Sequence, residues 1–225
     1  MKDHILRRYA LFACGLSILS IGIAVITKAS LGTSPITSIP YSLSMVYPSL
    51  TLGNWTIVFS LILILLQLIL RGKDADLFNL GLQVIVSFLF GYVIDLGMML
   101  LDWFDPQEYI LRIVSVVAGC ALLAFGVYLQ VIADVVMVPG DGFVYALTLK
   151  TRKEYGKVRV SSDITMIAIA GLIGLAFLGN LGGVREGTVI SAILVGSIAR
   201  FYFKKLKLLT RRLLPDSEKG AEAEA

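Results

Sequence analysis

The stretch LGTSPITSIPYSLSMVYP, residues 31–48, decides how this chain is read. Pro35 opens a helical segment and Pro48 closes it, leaving only 13 residues, Pro35–Tyr47, in between. At 1.5 Å per residue such a segment reaches about 20 Å, short of a hydrocarbon core about 30 Å thick. Pro40 interrupts it, and Thr37, Ser38, Ser42 and Ser44 line it with hydroxyls. Backbone groups freed by proline at membrane depth need protein or water as partners, because lipid offers none. A second short segment, Gly140–Leu149, follows Pro139.

The flanking sequence says that these segments sit in a membrane. Of the 225 residues 57% are hydrophobic and only 16% charged, and the mean hydropathy is +0.84. A soluble domain carries about a quarter charged residues. Tyr9–Thr27 and Ile113–Ala133 contain no charge at all. Further apolar runs occupy Trp55–Leu70, Leu77–Ile94, Ile164–Leu178 and Gly187–Ala199. So many runs cannot all be buried core helices in one short chain, so they read as membrane spans. The run after Lys2, Arg7 and Arg8 exceeds the apolar length of a secretory signal, about 7–15 residues, and is expected to stay uncleaved. Cys14 and Cys120 both lie within spans and read as small packing residues.

Landmarks recur at an offset of 104 residues. Gly15 meets Gly119, Gly22 meets Gly126, Ala29 meets Ala133 and Pro35 meets Pro139, followed by Tyr41 with Tyr145 and Leu43 with Leu147. At an offset of 105, Val84, Ile85 and Gly91 meet Val189, Ile190 and Gly196, and Asp95 meets Arg200. The expected organisation is an N-terminus at 1–7, a first membrane repeat at 8–103, a second at 109–205, and a tail at 206–225. The end of that tail, Pro215–Ala225, has no apolar face to bury and reads as disordered.

Two topologies compete. Re-entrant half-helices give six spans and repeats inverted relative to each other, whereas short spans give eight. With six spans and the N-terminus inside, 17 of the 20 Lys and Arg fall on the inner side; with eight, 16 of 20 do. Both satisfy the positive-inside rule, so the shortness of the Pro-marked segments decides for six. The expected fold is an all-α membrane protein of two three-span repeats with both termini cytoplasmic. The acidic loop Asp102–Glu108 is then outside.

A half-helix ending inside a membrane exposes unpaired N–H groups and a partial positive charge, which suits a polar or anionic ligand. The candidate substrate-binding residues are therefore Ser34, Pro35 and Thr37 at one end and Pro139, Gly140 and Asp141 at the other. Asp141 suits either an N-cap or a cation or proton site. Asp163 suits either a core-facing role or an interfacial one. Asp134, Lys28, Asp95 and Arg200 read as interfacial. Arg185 and Glu186, in a Gly-bounded turn, are adjacent and would not face each other on a helix, so other partners are expected.

The motifs LGTSP (31–35), PGDG (139–142), GKVR (156–159), Asp163 and GVREGT (183–188) together resemble the bacterial YczE/YyaS/YitT-like membrane proteins. The resemblance runs from about residue 8 to 205. Members often carry Trp-Asp soon after the first proline, where this chain has Ile36-Thr37, so no acidic role is expected there. The resemblance implies a bacterial inner membrane and supplies no substrate.

Two functions follow. The first is a small transporter or permease for a small polar or ionic solute. The alternative is a non-transporting membrane partner of an export or biosynthetic complex. The lone histidine, His4, precedes the spans, and no Ser/His, Cys/His or metal-ligand cluster stands at catalytic spacing. No enzyme activity, cofactor or metal is expected. The basic residues lie between spans and at the ends, which argues against a nucleic-acid partner. The lipid bilayer and a small solute are the expected partners, with a homo-oligomer or partner subunit left open.

Overall fold

The computed structural model describes residues 2–206; of the expected tail at 206–225, all but Leu206 lies outside the described residues. Those residues form eight α-helices joined by short turns: α1 (Lys2–Lys28), α2 (Pro35–Val46), α3 (Leu52–Arg71), α4 (Leu77–Leu100), α5 (Tyr109–Ala133), α6 (Pro139–Thr151), α7 (Tyr155–Leu178) and α8 (Glu186–Lys205). Six of them, α1, α3, α4, α5, α7 and α8, are long and apolar enough to cross a membrane. The two Pro-marked helices have only 12 and 13 residues, and each starts on its proline. Proline is favoured there because the first N–H of a helix has no partner in any case. The chain is an all-α, multi-pass membrane protein of six spans.

One boundary differs from the sequence reading. The seventh helix starts at Tyr155 rather than Ile164. Its added turns carry Arg159 and Asp163, which pair with each other at i,i+4 spacing, 3.5 Å apart. Satisfied in this way, the charges extend the helix instead of ending it.

The bundle is organised by a close crossing of α1 and α5. A Cβ built on Gly15 would lie 3.0 Å from the Gly126 carbonyl, and one on Gly22 would lie 2.9 Å from the Gly119 carbonyl. Position rises along α1 as it falls along α5, so the two helices run antiparallel. Small residues let their backbones approach, the means by which helices associate where lipid removes the hydrophobic drive. The remaining packing comes in corresponding pairs. Helix α1 packs on α4 as α5 does on α8, and α2 packs on α7 as α6 does on α3. The clearest departure is between α3 and α4. Helices α3 and α4 pack closely through Gly53, Ile57 and Gly91. At the corresponding place on α8, nothing lies within 4 Å of a Cβ built on Gly196.

Large apolar side chains on the outer faces are exposed, among them Ile69, Phe78, Met99, Ile110, Leu172 and Ile193. Such a surface suits lipid, not water. The ends of the spans are tied by polar contacts. Lys28 meets Asp102 at 2.9 Å, and Arg8 meets Asp134 at 3.6 Å. Asp95 accepts from the Gly53 N–H at 2.7 Å and from the Thr51 hydroxyl at 2.5 Å, fastening the start of α3 to α4. Each of the three contacts has one partner at a helix end: Lys28, Asp134 and Gly53. Cys120 is buried in the core and Cys14 is exposed on α1.

Candidate functional site

The N-terminal ends of α2 and α6 meet inside the bundle. Ile36, the second residue of α2, occupies the space a side chain on Gly140 would need. Only glycine fits at 140 while Ile36 stays in place. The contact separates two polar clusters, one on each side.

On the α2 side lies a chain of hydroxyls. Thr27 and Thr33 are 3.0 Å apart, Thr33 and Thr37 2.9 Å, and Thr37 and Ser34 2.7 Å. All four are buried. Each hydroxyl has one hydrogen to donate, and Thr27 gives its own to the Ile23 carbonyl. Thr33 therefore donates to Thr27, while the Thr37 hydroxyl also reaches the Ser34 carbonyl at 3.2 Å. From α8, the Thr188 hydroxyl accepts the Thr33 N–H at 3.2 Å, and Ser191 donates to the Thr33 carbonyl at 3.2 Å. Gly32, at φ +106°, permits this approach, since its missing Cβ would collide with Thr188. Ser42, one helical turn beyond Ser38 and also buried, has no hydrogen-bond partner for its hydroxyl among the described residues.

On the α6 side lies an ionic cluster. Arg159 of α7 donates to Asp141 in the first turn of α6, stands 3.5 Å from Asp163, and reaches the Tyr155 hydroxyl at 3.5 Å. With both carboxylates ionised, one guanidinium between them leaves a net charge of −1. Capping is excluded as the role of Asp141. The cap position belongs to Val138, which makes no side-chain cap bond, and the aspartate turns to Arg159 instead.

Beside this cluster sits an amide pair that sequence reasoning missed. Gln67 of α3 and Gln83 of α4 exchange hydrogen bonds of 2.9 and 3.2 Å. Gln67 also donates to the Pro139 carbonyl and Gln83 to Asn79, each at 3.1 Å, so all four amide hydrogens are used. A Cβ on Gly142 would lie 2.6 Å from the Gln67 oxygen. The only sequence signal was a glutamine within each of two apolar runs, which is costly unless paired.

Of the expected residues, Ser34, Pro35, Thr37, Pro139, Gly140 and Asp141 thus gather around one contact, with Asp163 joined through Arg159. Arg185 and Glu186 stand apart from the ionic cluster, although the Arg185 N–H reaches, at 3.4 Å, the Thr188 hydroxyl that also accepts the Thr33 N–H. They lie beyond the far end of α7, roughly 30 Å from Arg159 along a helix rising 1.5 Å per residue. Arg185 is in extended backbone rather than helix, so the two neighbours approach to 3.9 Å after all. Arg185 also donates to the Ser30 carbonyl at 3.0 Å, pinning the α7–α8 turn to the α1–α2 turn.

Comparison with known proteins agrees with this architecture. The chain is 29% identical over 217 residues to the uncharacterized membrane protein YczE of Bacillus subtilis, covering 89% of this chain and 87% of that protein. It is 25% identical over 214 residues to the uncharacterized protein YyaS of Bacillus subtilis, covering 95% and 99%. No solved structure matches it. Residues 6–204, nearly the whole described bundle, match the family DUF6198, a family of unknown function, and the chain belongs to that family.

Proposed function

We propose that this protein is a small permease of the bacterial inner membrane, not an enzyme, with both termini cytoplasmic and a polar or cationic solute binding where α2 and α6 meet. The observation that carries the reading is the convergence of the two short helices at Ile36 and Gly140, between a buried hydroxyl chain and an ionic cluster. The antiparallel crossing of α1 and α5 supports inverted repeats, the arrangement in which discontinuous helices build a midplane site. When both carboxylates are ionised, the net negative charge of the Asp141–Arg159–Asp163 cluster favours a cation or a proton as solute or coupling ion. The hydroxyl of Ser42, unpartnered among the described residues, offers one further contact on α2.

A second reading has its own observation. Ile36 fills the space between the two ends, so they are packed shut. A permease in this form is occluded and has to move Ile36 away from Gly140. A membrane partner protein, which carries nothing, has no such need. Ligand-induced stabilisation separates the two. A ligand that binds the folded form alone raises apparent stability by RT ln(1 + [L]/Kd). Purified protein screened by melting against cations and polar metabolites should yield a stabilising solute, taken up by proteoliposomes. Thr37→Val, nearly isosteric, should weaken its effect. If no solute stabilises the protein and none is transported, the partner reading holds.

A further inference from the structure

The two halves of the chain treat one helix face differently. On α3, Gly53 and Ile57 form the face that seats on Gly91 of α4. At the offset of 104 residues the matching positions on α7 are Lys157 and Ser161, a cation and a hydroxyl in place of a glycine and a large apolar side chain. Lys157 and Ser161 are exposed, and among the described residues nothing lies within 4 Å of a Cβ built on Gly196 of α8, the counterpart of Gly91. A cavity of about 580 Å³ opens against Lys157 and Ser161, walled also by Leu147 of α6 and Val158 of α7.

The charge of this cavity is out of balance. Arg152, Lys153 and Lys157 line it together with one acid, Glu154. Glu154 is engaged by Lys157 at 3.0 Å. Arg152 and Lys153 have no acidic partner among the described residues. Arg152 stands in the left-handed region at φ +54°, where glycine is the easier residue, so a side chain is kept there at some conformational cost. The cavity is distinct from the site above. At about 100° per residue, Lys157, Val158 and Ser161 lie roughly opposite Tyr155, Arg159 and Asp163 around α7. Its depth is also specific. The cations sit at the start of a membrane span, while Val158 and Ser161 lie one to two turns inside it.

We propose that this cavity binds a phosphate group, supplied by an anionic phospholipid of the adjacent leaflet. Two unpaired cations match the phosphate, the Ser161 hydroxyl offers a further donor, and Leu147 and Val158 suit the upper acyl chain. Basic pockets between membrane helices hold lipid headgroups by this chemistry. The bound lipid fills the place that α4 fills on α3. This inference does not depend on whether the protein transports a solute.

Native mass spectrometry of the full-length protein, released from membranes mixing phosphatidylglycerol with phosphatidylcholine, tests it. Phosphatidylglycerol should be retained preferentially. Arg152→Gln/Lys153→Gln should weaken that retention roughly thirtyfold, about fivefold for each cation near the surface. Gln keeps the backbone demand at 152 unchanged, and matched melting points check folding. Arg71→Gln/Lys73→Gln, which removes as much charge outside the cavity, should leave retention intact. Inorganic phosphate is the soluble probe. If it raises the melting point of the wild type and not of Arg152→Gln/Lys153→Gln, the phosphate site stands and its source is a soluble compound. Undiminished lipid retention in that variant, or an equal loss in Arg71→Gln/Lys73→Gln, overturns the proposal.

Discussion

Arg159 of α7 donates to Asp141 of α6 across 18 positions of sequence, and this ion pair joins the second short helix to the span that follows it. The carboxylate thus has a structural partner in addition to any role in binding. Asp141→Asn keeps the shape but loses the charge. The side chains of Arg159 and Asp141 are 33% and 26% exposed, so the loss should fall between that of a surface pair and a buried one, about 1–3 kcal/mol. Melting of Asp141→Asn, Arg159→Gln and the double variant checks this. The double variant should be less destabilised than the sum of the singles. Strict additivity would mean that the pair carries no coupling.

The α1–α5 crossing yields a prediction about glycine. A Cβ on Gly22 would lie 2.6 Å from the backbone nitrogen of Leu123, and backbone cannot rotate away. Gly22→Ala should separate the helices and cost about 1–3 kcal/mol. Gly81, on α4, has nothing within 4 Å of its missing side chain. Gly81→Ala should be neutral or stabilising by up to about 1 kcal/mol, the propensity difference. Thermal melting of the two variants in one detergent reads both signs.

Legibility in the sequence followed the range of the interactions. Spans and short helices were readable because length and hydropathy act locally, and Pro35 and Pro139 mark helix starts by their own geometry. The Gly15 and Gly119 correspondence was visible as a repeat, yet the contact that matters is Gly15 with Gly126, which only the fold supplies. Asp141 was visible as a charge in an apolar setting. Its partner Arg159 was hidden, because a basic residue beside Lys157 reads as part of a cytoplasmic loop. Arg185 and Glu186 were visible as a charged pair in a Gly-bounded turn, but the tie of that turn to Ser30 and, through Thr188, to Thr33 is supplied only by the fold.

The glutamine pair was the least legible element, and it gives a sharp expectation. Gln67→Leu removes one partner and leaves both the Gln83 amide and the Pro139 carbonyl short of a bond in a buried place. That should cost about 1–3 kcal/mol. Gln67→Leu/Gln83→Leu removes both amides together, leaving the Pro139 carbonyl as the main loss, so the second substitution should recover part of the first. A double-mutant cycle on melting free energies checks it. If the double variant is worse than the sum of the singles, the pair is not a closed ring.

Orientation in the membrane is the last expectation, and the loop between α4 and α5 is the place to read it. Charge is distributed unequally between the two ends of the bundle. Arg71, Lys73, Lys150, Arg152, Lys153, Lys157, Lys204 and Lys205 gather at one end, and Asp102, Asp105 and Glu108 at the other. The positive-inside rule puts the first end in the cytoplasm and the acidic loop outside. That loop is held in place, since Arg112 donates to the Pro106 carbonyl at 2.8 Å and Lys28 pairs with Asp102. Gln107 within it is exposed. Its side chain donates to its neighbour Asp105 at 2.7 Å and has no other hydrogen-bond partner among the described residues, so a cysteine there should leave the loop intact. Cys14 and Cys120 are first replaced by alanine to silence the background. Gln107→Cys should then react with a membrane-impermeant thiol reagent in intact cells, and Lys73→Cys should react only after lysis. The reverse pattern would place the basic end outside and overturn the assigned orientation. Labelling of both sites in intact cells would show that residues 73 and 107 share one face, which six crossings in this order do not allow.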